Sequence, residues 1–209
     1  MICNASAACS LLIATRHMVS AAEPVILPIV FHVAELDGRR VVDKSFVDER
    51  LARANEIFAP YAVGFAESAT LALSTAHAAI ETRSDRDALS GAAKRGAIDC
   101  FVVRSLRDVD DPTQMRRGVH WHSRTRAGTH FVIVSSIAGR NVLAHEIGHY
   151  LGNPKHSQTP GNLMSYLSGT GLPVLDSDQV ARMNQSVRDY LKRRELRAVA
   201  KGAPSAAPP

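Results

Sequence analysis

With 209 residues, 45% hydrophobic and 22% charged, the chain can bury one substantial core, which excludes a wholly disordered protein. Two of its three cysteines, Cys3 and Cys9, fall at the very start and Cys100 stands apart, which excludes a disulfide framework in a processed chain and a cysteine-based zinc site. The formal charge is +5, with bases gathered at Lys192, Arg193, Arg194, Arg197 and Lys201; without a nucleic-acid motif these read as a solvated helix face, and no nucleic-acid partner is expected.

Residues 1–22 read as a signal peptide. Ala7 to Ala14 is a short apolar stretch, and Val19-Ser20-Ala21 before Ala22 resembles a small-residue cleavage site, although no base precedes the stretch and Arg16 and His17 interrupt it. That places the mature chain in the periplasm or outside the cell. No segment approaches the length of a membrane span. Residues 23–200 then form one domain, and 201–209, all Ala, Pro, Gly and Ser but for Lys201, form a disordered tail.

Pro24 to Val33 is β-branched and apolar, the first strand. Asp43 or Ser45 can cap a helix to about Phe58, with Val47, Leu51, Ala54 and Phe58 on one face and Pro60 ending it. Val63 to Ala66 is a second strand, and Glu67 to Thr82 has no clear period. Ser84, with Asp87 three residues on, suggests a capping box for a helix to about Lys94. Ile98 to Arg104 is the central strand, with Cys100 a small buried hydrophobe. Arg107 to Arg117 is a polar loop. Gly118 to His122 and Thr129 to Ser135 are two strands joined around Arg126-Ala127-Gly128. His120 and His122 share one face of the first of these, where they could line a cleft or bind a second metal; they read rather as surface residues of a half-exposed strand. His32, His77 and His130 stand alone, and Met115 and Met183 read as packing. Asp176 or Ser177 opens a last helix to about Arg197.

The chemistry concentrates at His145-Glu146-Ile147-Gly148-His149. Residues four apart stack on one helix face, so His145 and His149 can offer two imidazole nitrogens to one zinc ion. Glu146 lies beside that pair, placed to take a proton from attacking water rather than to ligate. Leu143, Ile147 and Tyr150 give the helix a back to bury. Gly152 can take the left-handed conformation that ends the helix and reverses the chain. A catalytic zinc usually has three protein ligands, and the reversed chain offers His156; Asp176 or Asp178 is the alternative. Asn162-Leu163-Met164-Ser165-Tyr166 follows as a compact segment between glycines.

From His145 to Tyr166 the sequence resembles the metzincin clan of zinc endopeptidases, and its layout is similar over most of the chain. The resemblance implies an α+β fold: a twisted, mostly parallel sheet with an antiparallel edge strand, an active-site helix, a Met-turn and a C-terminal helix. It implies Zn2+ held by His145, His149 and His156, Glu146 as general base, Met164 in the turn beneath the metal and Tyr166 stabilising the transition state. The edge strand would carry an extended peptide substrate, with Gly118, Val119, His120 and Trp121 as its contacts.

One departure stands out. The clan's pattern is HExxHxxGxxH, and here Asn153, Pro154 and Lys155 separate Gly152 from His156, one residue too many. Lys155, at the clan's ligand position, is protonated at neutral pH and a poor ligand. The expected activity is hydrolysis of peptide bonds by a monomeric enzyme. The rivals are a non-catalytic zinc-binding adhesion or partner-binding module and a nucleic-acid-binding protein using the basic last helix.

Overall fold

The computed structural model describes residues 23–199, so the expected leader and tail lie outside the described residues. In chain order its elements are β1 (Val25–Leu36), β2 (Arg39–Arg40), α1 (Lys44–Phe58), β3 (Val63–Leu73), β4 (Ala79–Ile80), α2 (Arg83–Ala88), β5 (Ile98–Val103), β6 (Ser105–Leu106), β7 (Gly118–His122), β8 (His130–Ser135), α3 (Val142–Tyr150) and α4 (Ser177–Lys192).

The near-continuous apolar runs of β1, β5 and β8 are what a parallel sheet covered on both faces requires. These strands lie parallel in the order β3-β1-β5-β8, and β7 closes the edge antiparallel to β8. This is the expected α+β architecture, mostly parallel with one antiparallel edge. Alternate residues feed two cores. On one face Leu27, Ile29, Phe31, Val102 and Val132 meet Val47 and Phe58 of α1, Leu143 and Ile147 of α3 and Met183 of α4. On the other, Phe101, Val103, Phe131 and Ile133 pack with Ile80, Leu89 and Leu106.

Asp43 caps α1, its Oδ1 accepting from the Phe46 N–H at 3.0 Å. β3 runs to Leu73, well past the Ala66 expected, because it pairs with β1 through a register shift between Ile29 and Val30. Alternation is not required of a strand whose partner dictates its length, so the Ala- and Thr-rich sequence hid it.

Two helices differ from expectation at their ends. The capping box of α2 is Thr82 with Asp85, not Ser84 with Asp87, and the helix stops at Ala88. Asp87 is used elsewhere: its buried carboxylate accepts from Trp121 Nε1 at 2.9 Å and from Arg124 N–H and Nε at 3.0 and 3.1 Å, fastening the β7–β8 connection. α4 ends at Lys192, short of Arg197, because Arg194 turns left-handed (φ 58°). The chain then bonds to Gly96 on both sides of Leu196, which is thereby buried.

His32 does not stand alone. Its Nε2 lies 2.7 Å from Asp99 Oδ1, both buried, and its ring stacks on Phe101. Asp99 also accepts from the Lys94 N–H at 2.9 Å, so this polar pair in the sheet is satisfied. Among the described residues no helix is long and apolar enough to cross a membrane.

Candidate metal centre and cleft

α3 buries Leu143, Ile147 and Tyr150 against the sheet and turns His145 and His149 the other way. Gly152, at φ +94°, then reverses the chain, and an added Cβ there would meet Ser186 Oγ at 2.3 Å. Both the backbone angle and the space disfavour a side chain there.

The reversal brings His156 back. Its Nε2 lies 3.1 Å from His149 Nε2, which lies 3.1 Å from His145 Nε2. Lys155, at the clan's ligand position, is exposed. Asn153 accommodates the extra residue by folding inward. It is buried, its amide donates to Gln179 O at 3.3 Å, and its Oδ1 accepts from Arg182 Nε at 3.1 Å. Asp176 is the N-cap of α4, accepting from the Gln179 N–H at 2.8 Å, and neither it nor Asp178 joins the imidazole group.

The protons of this group decide its chemistry. His145 Nδ1 lies 2.7 Å from Leu163 O, and His149 Nδ1 lies 2.7 Å from Asn153 O. A carbonyl oxygen only accepts, so both Nδ1 atoms carry the hydrogen and both Nε2 atoms present lone pairs. Two lone pairs facing each other at 3.1 Å repel. A shared cation removes that conflict, and three imidazole nitrogens suit zinc. The donor set therefore fits the metal that the sequence suggests. Burial lowers the pKa of His145, and burial followed by the neighbouring His145 lowers His149 to about 4, so both are neutral at physiological pH.

Glu146 is buried at the floor beside this group. Burial pushes its carboxyl up to about 8, against the opposing effects of a hydrogen bond from the His120 backbone and of Arg116. A divalent cation nearby would favour the ionised form further. Tyr166 is exposed on the rim, its ring centroid 4.3 Å from that of His156 and 5.6 Å from that of His145. The cleft holds about 490 Å3 and is lined by residues including Arg116, Gly118, His145, Glu146 and Tyr166.

Met164 lies fully buried beneath α3, and an added Cβ on Gly148 would stand 2.5 Å from its sulfur. The glycine inside the motif is thus the space that Met164 fills. Asn162 shapes this turn: its Oδ1 accepts from the Met164 N–H at 2.8 Å and from Gln179 Nε2 at 3.1 Å. Gln179 also closes the capping box of α4, tying the turn to that helix.

No family model and no curated protein matches the sequence. Solved structures do. The chain is similar to Tannerella forsythia mature mirolysin in complex with a cleaved peptide, at TM-score 0.57 and 14% identity over 85% of this chain and 100% of that one. It is similar to metalloproteinase-II from Bacteroides fragilis, at TM-score 0.53 and 15% identity over 80% of this chain and 55% of that one. It is also similar to archaemetzincin from Methanopyrus kandleri, at TM-score 0.51 and 15% identity over 82% and 99%. The fold is that of the metzincin-type zinc peptidases.

On this metzincin-like scaffold the edge strand divides its residues between two faces. Gly118 and His120 turn toward α3, whereas Val119 and Trp121 pack into the opposite core. The side chain of Trp121 is thus committed to Asp87 and away from the cleft, which leaves only its backbone for a substrate. Sequence reasoning assigned no role to Asn153, Asn162, Gln179 or Arg116. Arg116 carries a cation into the cleft, held by Asp108 Oδ2 at 2.6 Å, and no spacing rule marks it.

Gly118 offers a test that leaves the imidazoles alone. An added Cβ would meet Val142 Cγ1 at 2.5 Å and Glu146 Cγ and Oε1 at 2.8 Å. Gly118→Ala is expected to displace that carboxylate and, if Glu146 reacts with a bound peptide, to lower any proteolytic turnover by about 10²-fold with metal content unchanged, because small misplacements of a reacting group cost that much. Wild-type turnover in this variant would show that the position of Glu146 is immaterial.

Proposed function

We propose that this chain is a zinc-dependent endopeptidase in which His145, His149 and His156 hold the ion, Glu146 is the general base and Tyr166 steadies the oxyanion. The observation that carries the reading is the pair of Nδ1 atoms fixed on carbonyls, which leaves opposed Nε2 lone pairs beside a buried carboxylate in an open cleft. When bound, zinc supplies Lewis acidity toward the scissile carbonyl and makes water acidic enough to lose a proton near neutral pH.

The chain's own residues supply the rest. Glu146, oriented by the His120 N–H, takes the proton of the attacking water and returns it to the leaving amine. The phenol of Tyr166, beside the rings of His145 and His156, donates to the developing negative charge on the carbonyl oxygen. Among the described residues β7 has one unpaired edge, and an extended peptide adds to it as a further strand through backbone hydrogen bonds from Gly118 to Trp121. The mirolysin structure similar to this chain holds a cleaved peptide, which favours a peptide substrate here too.

A non-catalytic zinc module of the same fold is the rival. A purely structural site needs no base and prefers four closed protein ligands, whereas this one has three imidazoles and Glu146 at its side. Incubation with an unfolded protein substrate separates the two. Zinc-loaded chain is expected to cleave it, a chelator to abolish cleavage, and added zinc to restore it. A folded, zinc-loaded chain that leaves a range of unfolded substrates intact would establish the rival.

A further inference from the structure

We propose that His120, His122 and His130 form a second site for a divalent transition-metal ion, across the β7–β8 pair. His122 lies directly opposite His130 in the ladder, and His120 is two residues away on the same face. Their ligand atoms all lie within 4.8 Å of one another, as do those of the first group, and the two groups share no residue.

The three rings are held for this. His130 stacks on Tyr150 with centroids 4.0 Å apart, and on His122 with centroids 5.0 Å apart and planes 7° from parallel. His120 Nε2 and His130 Nδ1 stand 2.8 Å apart. That contact is the only side-chain hydrogen bond the three imidazoles make among the described residues, although they carry six ring nitrogens, and no carboxylate bonds to any of them. Bonds of zinc length at tetrahedral angles separate nitrogens by about 3.3 Å, so small ring movements admit the ion. An approach exists as well. His130 lines a hollow of about 260 Å3 bounded also by Lys94, Arg126, Tyr150 and Glu195.

Three imidazoles without a thiolate or carboxylate suit zinc, copper(II) or nickel(II) rather than calcium or magnesium. An ion here ties the edge strand to its neighbour, and it lies on the face of β7 that meets α3.

Metal content tests the site. The full chain is dialysed against zinc, then against metal-free buffer, and zinc per chain is measured for wild type, His130→Gln, His122→Gln, His156→Ala and the His130→Gln/His156→Ala double variant. Two equivalents are expected in wild type, one in each single variant and none in the double variant. Cobalt(II) substitution gives a second readout, with the visible absorption per chain falling by about half in His122→Gln. That residue is exposed, so its variant serves if His130→Gln fails to fold. One equivalent in wild type that His156→Ala removes would overturn the second site, as would two equivalents that survive both His122→Gln and His130→Gln. One equivalent that His130→Gln removes and His156→Ala leaves would keep the second site and sink the proposed peptidase centre.

Discussion

Glu146→Gln is expected to retain zinc and to lower the turnover of an unfolded protein substrate by about 10²–10⁴-fold, the share a positioned acid–base group supplies. Gln occupies nearly the same volume in the buried floor beside α3, so the imidazoles and the cleft should keep their places. It cannot take a proton. The loss should fall on kcat, since Glu146 is not assigned to holding the substrate, which lies along β7 in the proposed reading. Zinc content and kcat measured on the same preparation check both halves. Unchanged turnover would remove Glu146 from the mechanism, and lost zinc would make it a ligand.

His156→Ala is expected to cost the catalytic site its zinc, while Lys155→Ala leaves metal content and activity as they are. Losing a direct ligand should weaken binding by more than the roughly 10–100-fold that follows loss of an outer partner. Lys155 is exposed, and His156 Nε2 is 3.1 Å from His149 Nε2, so the two variants separate the clan's usual spacing from the one found here. Metal analysis and activity after dialysis decide it. Retention of the full wild-type zinc content in His156→Ala, or loss of zinc in Lys155→Ala, would mean that another residue completes the site.

The motif helix, its buried back and the turn at Gly152 were legible because helical periodicity and a left-handed glycine are local rules. The same holds for β5, β7 and β8, whose apolar or alternating runs match their register. Only the first part of β3 is legible, since its length comes from pairing with β1 rather than from its own pattern. The cap of α2 is not legible in the sequence, because Thr82 and Ser84 both satisfy the capping spacing, and only the fold's demand on Asp87 distinguishes them. His130 looked solitary for a related reason: strand register, which no single segment encodes, sets it against His122. At the site, the spacing of His156 was readable as an anomaly, whereas its resolution through Asn153 depends on Gln179 and Arg182 of a distant helix.

All three imidazoles of the first centre come from one run of twelve residues, 145 to 156. An ion gripping so short a run closes only a small ring, and ring closure constrains an unfolded chain less as the ring shrinks. The sheet that carries the run is built from strands spread between Val25 and Ser135, and its apolar layers involve no ligand. Stripping the ion should therefore leave a standing scaffold, silent but intact. In the proposed peptidase reading, zinc supply would then act on this protein as a reversible throttle on output, with no refolding between the off and on states.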